Sequence, residues 1–131
     1  MIKYEINAPI GTEEIIALYG AAGLRRPIDD PERIGKMFAG SNLVVSARED
    51  GRLVGVARSI ADGAWSCYLA DLAVDPEYQR SGVGRRLVEL TREAAGDGSM
   101  VLLLSVPGAM EYYPKIGMSK VENGFIFNRK Y

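Results

Sequence analysis

The chain has 131 residues, a formal net charge of −1, a single cysteine and no histidine. This length favours one domain that spans residues 1–131. The lone Cys67 excludes an internal disulfide, and without histidine a zinc site or a histidine-based triad lacks its usual parts. The near-zero charge gives no field for nucleic acid, and neither a membrane span nor a signal peptide can be recognised, so we expect a cytoplasmic domain.

Hydrophobic periodicity and turn residues predict ten elements in chain order. Thr12 and Asp30 are the expected caps of the first two helices, and 100–106 is apolar enough for a strand covered on both faces. We expect strands over 2–6, 43–48, 53–59, 65–74, 100–106 and 125–127, and helices over 12–23, 30–40, 83–96 and 109–116. The order β-α-α-β-β-β-α-β-α-β predicts an α/β (α+β) fold, with a mixed, mostly antiparallel sheet and helices on both faces.

The segment between the fourth predicted strand and the third helix has the residues of a phosphate site. Gln79-x-x-Gly82-x-Gly84 opens the helix beside three arginines, where free backbone N–H groups can hold phosphate oxygens. A Rossmann fingerprint would need a glycine at the position of Leu87, and a P-loop would need Gly-Lys-Ser/Thr. Both patterns fail, and a plain strand-to-helix turn with solvated arginines is the alternative.

This segment resembles the Q/R-x-x-G-x-G/A signature of the GNAT superfamily of acyl-CoA-dependent N-acyltransferases. The later run Tyr113-Pro114-Lys115-Ile116-Gly117-Met118 resembles the family's Y-x-K-x-G-F element, with methionine in place of phenylalanine. The resemblance covers about residues 53–118. It implies acetyl-CoA as co-substrate, no metal, and direct acetyl transfer to an amine.

The resemblance also implies where the cofactor binds. The backbone N–H groups of Ser81 to Arg85 would cradle the pyrophosphate, and free backbone groups of the preceding strand would pair with the pantetheine arm. Only one or two of Arg80, Arg85 and Arg86 are expected to touch the cofactor. The implied cofactor-binding residues are Leu72, Val74, Gln79, Arg80, Ser81, Gly82, Val83, Gly84 and Arg85.

Two residues, Asp71 and Tyr113, are candidates for the chemistry. An alkyl amine with a pKa of ~10.4 is about one part in a thousand neutral near neutral pH, a penalty of roughly 4 kcal/mol, so we expect a proton acceptor. Asp71 is the candidate, with a structural hydrogen-bonding role as its alternative, and Tyr68 occupies another position where the family places such a group. Strict alternation puts Asp71 on the opposite face from Tyr68, Leu72 and Val74, unless a β-bulge intervenes. Tyr113 aligns with the tyrosine that family members use against the leaving sulfur, although it could instead be a packing residue.

The sequence does not determine the chemical class of the amine acceptor. The loop over 24–31 holds Arg25, Arg26, Asp29 and Asp30, so an anionic and a cationic acceptor can be argued equally, whether small molecule, peptide or protein. Many GNAT relatives form homodimers, but the sequence does not fix the oligomeric state. The alternative functions are an acyl-CoA-binding sensor or docking module without turnover and, more remotely, a small nucleotide-binding domain.

Overall fold

A computed structural model describes residues 1–130 of the chain. Five strands form one sheet in the order β1-β2-β3-β4-β5. The first four strands are antiparallel to their neighbours, whereas β5 runs parallel to β4. The strands are β1 (Ile2–Ile6), β2 (Leu43–Glu49), β3 (Arg52–Ala61), β4 (Ser66–Val74) and β5 (Met100–Leu103).

Four helices complete the described structure. They are α1 (Thr12–Ala22), α2 (Pro31–Ala39), α3 (Val83–Ala95) and α4 (Tyr112–Lys115), and short 3-10 turns lie at Pro76–Tyr78 and Pro107–Ala109. Asp30 caps α2 as predicted, because its carboxylate accepts a hydrogen bond from the N–H of Arg33 at 3.1 Å. The predicted cap of α1 is wrong by one residue: Gly11 is the cap, and its N–H donates to Glu14 Oε2 at 2.8 Å. None of the helices in residues 1–130 has the length and apolar run needed to cross a bilayer.

Apolar side chains cover both faces of the sheet. On one face, α1 and α2 contribute Ile15, Tyr19 and Ile34 to a cluster that includes Val56 of β3. On the other face, α3 packs Leu87 and its neighbours against the remaining strand residues. The predicted fold class is therefore confirmed, and the order of elements agrees from β1 through α4.

A β-bulge in β4 changes which side chains share a face. Arg58 pairs with Asp71 and Ser59 pairs with Leu69, so Ala70 has no partner on β3. Leu69 packs with the α3 cluster, whereas Asp71 contacts Tyr19 of α1. The bulge thus reverses the alternation.

The end of the described chain departs from the prediction. The strand β5 ends at Leu103, lies at the sheet edge and is only partly buried, so the expectation of a longer strand covered on both faces is wrong. No strand forms at 125–127, where Phe125, Ile126 and Phe127 are exposed to 99%, 66% and 104%. The free edge of β5 and this apolar segment are consequently both uncovered within residues 1–130.

Candidate active site

The loop between β4 and α3 has an unusual backbone. Arg80 and Gly82 both adopt left-handed conformations, with φ of 67° and 89°. A non-glycine residue in this region costs of the order of 1–3 kcal/mol and persists only where its surroundings hold it there. The Ser81 hydroxyl donates to the carbonyl of Tyr78 and fixes the loop from within. Left-handed residues in such loops turn neighbouring N–H groups toward a common concave side, which suits an anion.

The N–H groups of this loop are available to a ligand. The amide of Gln79 donates to Pro76 O, and that of Arg86 donates to Gly82 O within the first turn of α3. Between them, the N–H groups of residues 80–85 donate to no acceptor in residues 1–130. These six consecutive donors lie at the positive end of the α3 dipole, an arrangement that favours phosphate oxygens. The predicted loop therefore has the geometry of a phosphate cradle.

The side chains around the cradle divide into free and engaged groups. Gln79 Nε2 donates to the carbonyl of Val74 at 3.0 Å, so the side chain of Gln79 ties the loop to β4. Arg85 and Arg86 both contact Glu89, at 3.2 and 3.3 Å. Arg80 forms no salt bridge in the described part of the chain, which leaves its guanidinium the least engaged of the three. Val83 is 3% exposed, so only its backbone can reach a ligand.

A gap opens between β4 and β5 next to this cradle. Pairing of the two strands ends at Leu69 opposite Leu103, although β4 continues to Val74. The Asp75 N–H bonds to Val54 O on β3, and hydrogen-bonding direction alternates along an antiparallel ladder. Leu72 and Val74 therefore turn their backbone groups away from β3, toward the gap. Apart from the Val74 carbonyl that Gln79 occupies, these are the backbone groups expected to meet a pantetheine arm.

Two adjacent tyrosines lie near the gap. A Cβ built on Gly84 would lie 3.0 Å from the Tyr112 hydroxyl and 3.6 Å from Val74 Cγ2, so Tyr112 reaches the junction of β4 and α3. The Tyr112 and Tyr113 rings meet edge to face at 5.3 Å. Burial raises the pKa of both hydroxyls, and Tyr113 is the more enclosed of the two. No sequence pattern indicated that Tyr112, rather than Tyr113, would lie against Gly84.

Asp71 lies in a closed network of hydrogen bonds. Its carboxylate accepts from Arg26 Nε and Arg58 Nε, each at 2.6 Å, and from the Tyr19 hydroxyl at 2.8 Å. The residue is 1% exposed. Burial acts to raise the pKa of Asp71, but the hydrogen bond and charge of Arg58, reinforced by Arg26, outweigh it and lower that pKa. The expectation that Asp71 accepts the proton of the amine does not fit this geometry, and its structural alternative does.

The Asp71 network borders a cavity of about 510 Å³. Because of the bulge at Ala70, Tyr68 and Asp71 both line this cavity, contrary to strict alternation. Arg26 Nη2 donates to the carbonyl of Ala70 at 2.9 Å and so anchors the bulge. The cavity lies beside the unpaired half of β4, on the face covered by α1 and α2.

Other chemistries find no support in the described residues. Cys67 is fully buried beside Leu43 and Ala95, and burial raises the pKa of its thiol, so it stays a protonated core residue. In residues 1–130, no group of three or more acidic, cysteine or histidine side chains is placed to hold a metal ion.

Known proteins resemble this chain in sequence and in fold. A family model for the acetyltransferase (GNAT) domain matches residues 17–129. The chain therefore belongs to the GNAT acetyltransferase family. It is 24% identical over 127 residues to an uncharacterised N-acetyltransferase, ycf52, of Pyropia yezoensis, covering 90% of this chain and 70% of that protein. Three other curated relatives are longer, and the chain spans 31%, 43% and 34% of their lengths.

Solved structures show the same fold. A probable acetyltransferase of unknown function from meticillin-resistant Staphylococcus aureus superposes with a TM-score of 0.84 at 25% identity, covering 98% of this chain and 99% of that one. An aminoglycoside N-acetyltransferase, AAC(6')-Iy, in complex with CoA superposes with a TM-score of 0.75 at 14% identity, covering 99% and 95% of the two chains. At that identity the second likeness shows the fold alone.

Proposed function

We propose that this protein transfers the acetyl group of acetyl-CoA directly to the nitrogen of an amine. The observation that carries the proposal is the row of six unengaged N–H groups at residues 80–85, next to the gap between β4 and β5. The diphosphate of CoA would bind this row, with Arg80 adding charge, and the pantetheine arm would follow Leu72 and Val74 into the gap. The CoA complex of a protein with the same fold supports this choice of co-substrate.

In the proposed reaction, the amine nitrogen bonds to the thioester carbon and the C–S bond breaks. The Val74 N–H would stabilise the oxyanion that forms between these two events. The amine proton would leave to water in the cavity beside Tyr68, because the buried Asp71 carboxylate already accepts hydrogen bonds from Tyr19, Arg26 and Arg58. The departing CoA thiolate then takes up a proton, so that the products are an N-acetyl amine and free CoA.

A tyrosine would stabilise the leaving thiolate. The family resemblance assigns this role to Tyr113. A thiol titrates near ~8.5 and an ordinary tyrosine near ~10, so transferring the proton outright is uphill by roughly 2 kcal/mol, and the raised pKa of Tyr113 adds to that. We therefore propose that Tyr113 donates a hydrogen bond rather than its proton. Tyr112 is the competing donor, because its hydroxyl lies against Gly84.

Paired phenylalanine variants separate the two tyrosines. We expect Tyr113→Phe to lower kcat at least tenfold with little change in CoA affinity, since the ring remains and only the hydroxyl is lost. Tyr112→Phe is the matched control and should keep kcat within about threefold. If instead Tyr112→Phe has the large effect, the role belongs to Tyr112.

Thiol release tests the proposed function itself. Purified protein with acetyl-CoA and a broad panel of amines should release CoA thiol and yield an acceptor heavier by one acetyl group. A protein that binds CoA but releases no thiol above the buffer rate at any pH would be an acyl-CoA-binding module instead.

We also propose that the protein acts as a homodimer. The exposed run Phe125-Ile126-Phe127 and the free edge of β5 are both uncovered within residues 1–130. A contiguous apolar run and an open strand edge usually mark an interface. A second copy would cover both at once, with the apolar segment of each protomer placed along the β5 edge of its partner.

A further inference from the structure

The cavity beside Asp71 carries charge of one sign. Five arginines line it, and Asp71 is the one acidic residue among its lining residues. That carboxylate is buried and already shared by two of the guanidiniums. A molecule entering the cavity thus meets a strongly positive wall. The five arginines are Arg25, Arg26, Arg33, Arg58 and Arg129.

Two of these arginines are rigidly held. Arg58 is 8% exposed, its Nη1 donates to Ser41 Oγ at 3.0 Å, and its guanidinium lies 5.8 Å from the centre of the Phe38 ring. Arg26 also donates one hydrogen bond from each of Nη1 and Nη2, to the carbonyls of Arg25 and Ala70. Guanidinium groups fixed in this way are pre-organised to receive a carboxylate or phosphate. Asp71 is therefore a positioning residue that orients the guanidinium groups of Arg26 and Arg58 in the cavity wall.

The acids of the α1–α2 loop do not offset this charge. Asp29 and Asp30 are absent from the cavity lining, and Asp30 is occupied in capping α2. Arg25 and Arg33 form no salt bridge with any residue in the described range. The loop sequence suggested equal positive and negative charge, whereas the cavity lining is predominantly positive.

We infer that the amine acceptor carries an anionic group, a carboxylate or a phosphate, which the arginines of this cavity bind. The inference rests on the proposed acetyl transfer, because it treats the cavity as the acceptor site of that reaction. Ala70 and Asp71 line the cavity and directly precede Leu72, so an acceptor bound there would lie beside the gap between β4 and β5. Met37, Ile60 and Tyr68 add an apolar wall that would contact the rest of the acceptor. Polyamines and other polycationic amines would be repelled.

Pairs of related amines that differ in the presence of an anionic group test the inference. Phosphoethanolamine is compared with ethanolamine, and β-alanine with β-alaninamide, in a thiol-release assay at saturating acetyl-CoA, with 1,3-diaminopropane as the cationic arm. We expect the member of at least one pair that carries the anionic group to have a kcat/KM about tenfold or more above its partner without that group, and the diamine to be the poorest acceptor. The pair that shows the difference identifies phosphate or carboxylate as the recognised group. Equal or higher kcat/KM for the amines without an anionic group would overturn the inference while leaving acetyl transfer intact.

Single substitutions connect the preference to the cavity. Arg33→Gln should raise KM for the preferred anionic amine about tenfold with kcat nearly unchanged, and should not change KM for the partner without the anionic group. Lys36→Gln is the matched control, because Lys36 lies on the same helix, pairs with Glu32 and does not line the cavity. Equal effects of the two substitutions would show a general charge effect and overturn the assignment.

A binding measurement keeps the inference separate from catalysis. If no amine releases thiol, calorimetric titration of the same amines into protein saturated with CoA decides the matter. Binding of phosphoethanolamine or β-alanine that Arg33→Gln weakens and Lys36→Gln does not would support an anion site in a protein without transferase activity. No binding of either anionic amine under these conditions would overturn the inference.

Discussion

Among single residues, Gly82 has a backbone conformation that disfavours side chains and a position with open space around it. Its φ of 89° lies in the left-handed region, and a Cβ built on it would meet no atom within 4 Å. A side chain there would project into open space beside the free N–H groups of the loop. A side chain at this position would meet no steric clash in the free protein, but it would clash with a bound diphosphate.

Gly82→Glu should therefore abolish CoA binding while the protein stays folded. The left-handed conformation adds about 1–2 kcal/mol of strain, and the carboxylate brings negative charge to the phosphate position. Gly63→Glu is the matched control, since Gly63 has a φ of 78° and equally open surroundings in the turn between β3 and β4. Calorimetry should give normal CoA affinity for the control and none for Gly82→Glu. Normal affinity in both variants would remove the loop from the cofactor site.

Asp71 shows how burial and hydrogen bonding decide the role of a carboxylate. Replacing it by asparagine removes the charge but preserves the shape, and leaves Arg26 and Arg58 without their counter-ion. We expect Asp71→Asn to lower the free energy of unfolding by about 3–5 kcal/mol, as measured by denaturant titration. Asp50→Asn, in the turn between β2 and β3, should stay within about 0.5 kcal/mol of the parent. A small effect of Asp71→Asn on stability would contradict the proposed anchoring role.

At the scale of elements, a carboxylate–guanidinium pair joins α1 to β2. Arg48 Nη1 and Nη2 donate to the two oxygens of Glu14 at 2.6 and 3.0 Å. The hydrogen bond from Arg48, followed by that from the Gly11 N–H, lowers the pKa of Glu14 to about 2. Because the folded-state pKa is below the ordinary value of 4.5, the stabilisation is complete above pH 4.5 and is lost as the pH falls through about 2.

Glu14→Gln should consequently flatten the dependence of stability on pH between 4.5 and 2. Denaturant titrations at several pH values in this window measure the slope for the parent and the variant. Glu13→Gln, which removes a charge from the same helical turn, controls for the change in net charge. An unchanged slope in Glu14→Gln would show that the pair does not contribute to acid stability.

Sequence periodicity predicted these elements well where the pattern is local. The turn between β4 and α3 follows from Gln79, Gly82 and Gly84, because a tight turn before an amphipathic helix depends on nearby residues. The bulge at Ala70 has no local signature, since it is stabilised by Arg26 from a distant loop. The arginine cavity could not be predicted from local pattern either, because Arg33, Arg58 and Arg129 are distant in sequence and come together only in the fold. The predicted strand at 125–127 does not form, because a local apolar pattern alone does not determine whether a segment pairs with the free edge of β5.

At the scale of the whole molecule, the uncovered apolar segment predicts self-association. Light scattering should give about twice the 14.3 kDa of one chain. The double variant Phe125→Glu/Phe127→Glu should be monomeric with an unchanged circular dichroism spectrum, because neither side chain packs on its own protomer. Val121→Glu, at a 55% exposed position outside the run, is the control and should remain dimeric. A monomeric parent protein would contradict the proposed interface.

Binding of the CoA diphosphate by the N–H groups of residues 80–85 can be measured directly. Amide resonances of ¹⁵N-labelled protein can be followed during titration with CoA. We expect the largest shifts on Arg80 to Arg85 and smaller ones on Leu72 and Val74, with the resonances of the hairpin turn around Gly63 unchanged. Saturable CoA binding that leaves the amides of residues 80–85 unmoved would contradict it.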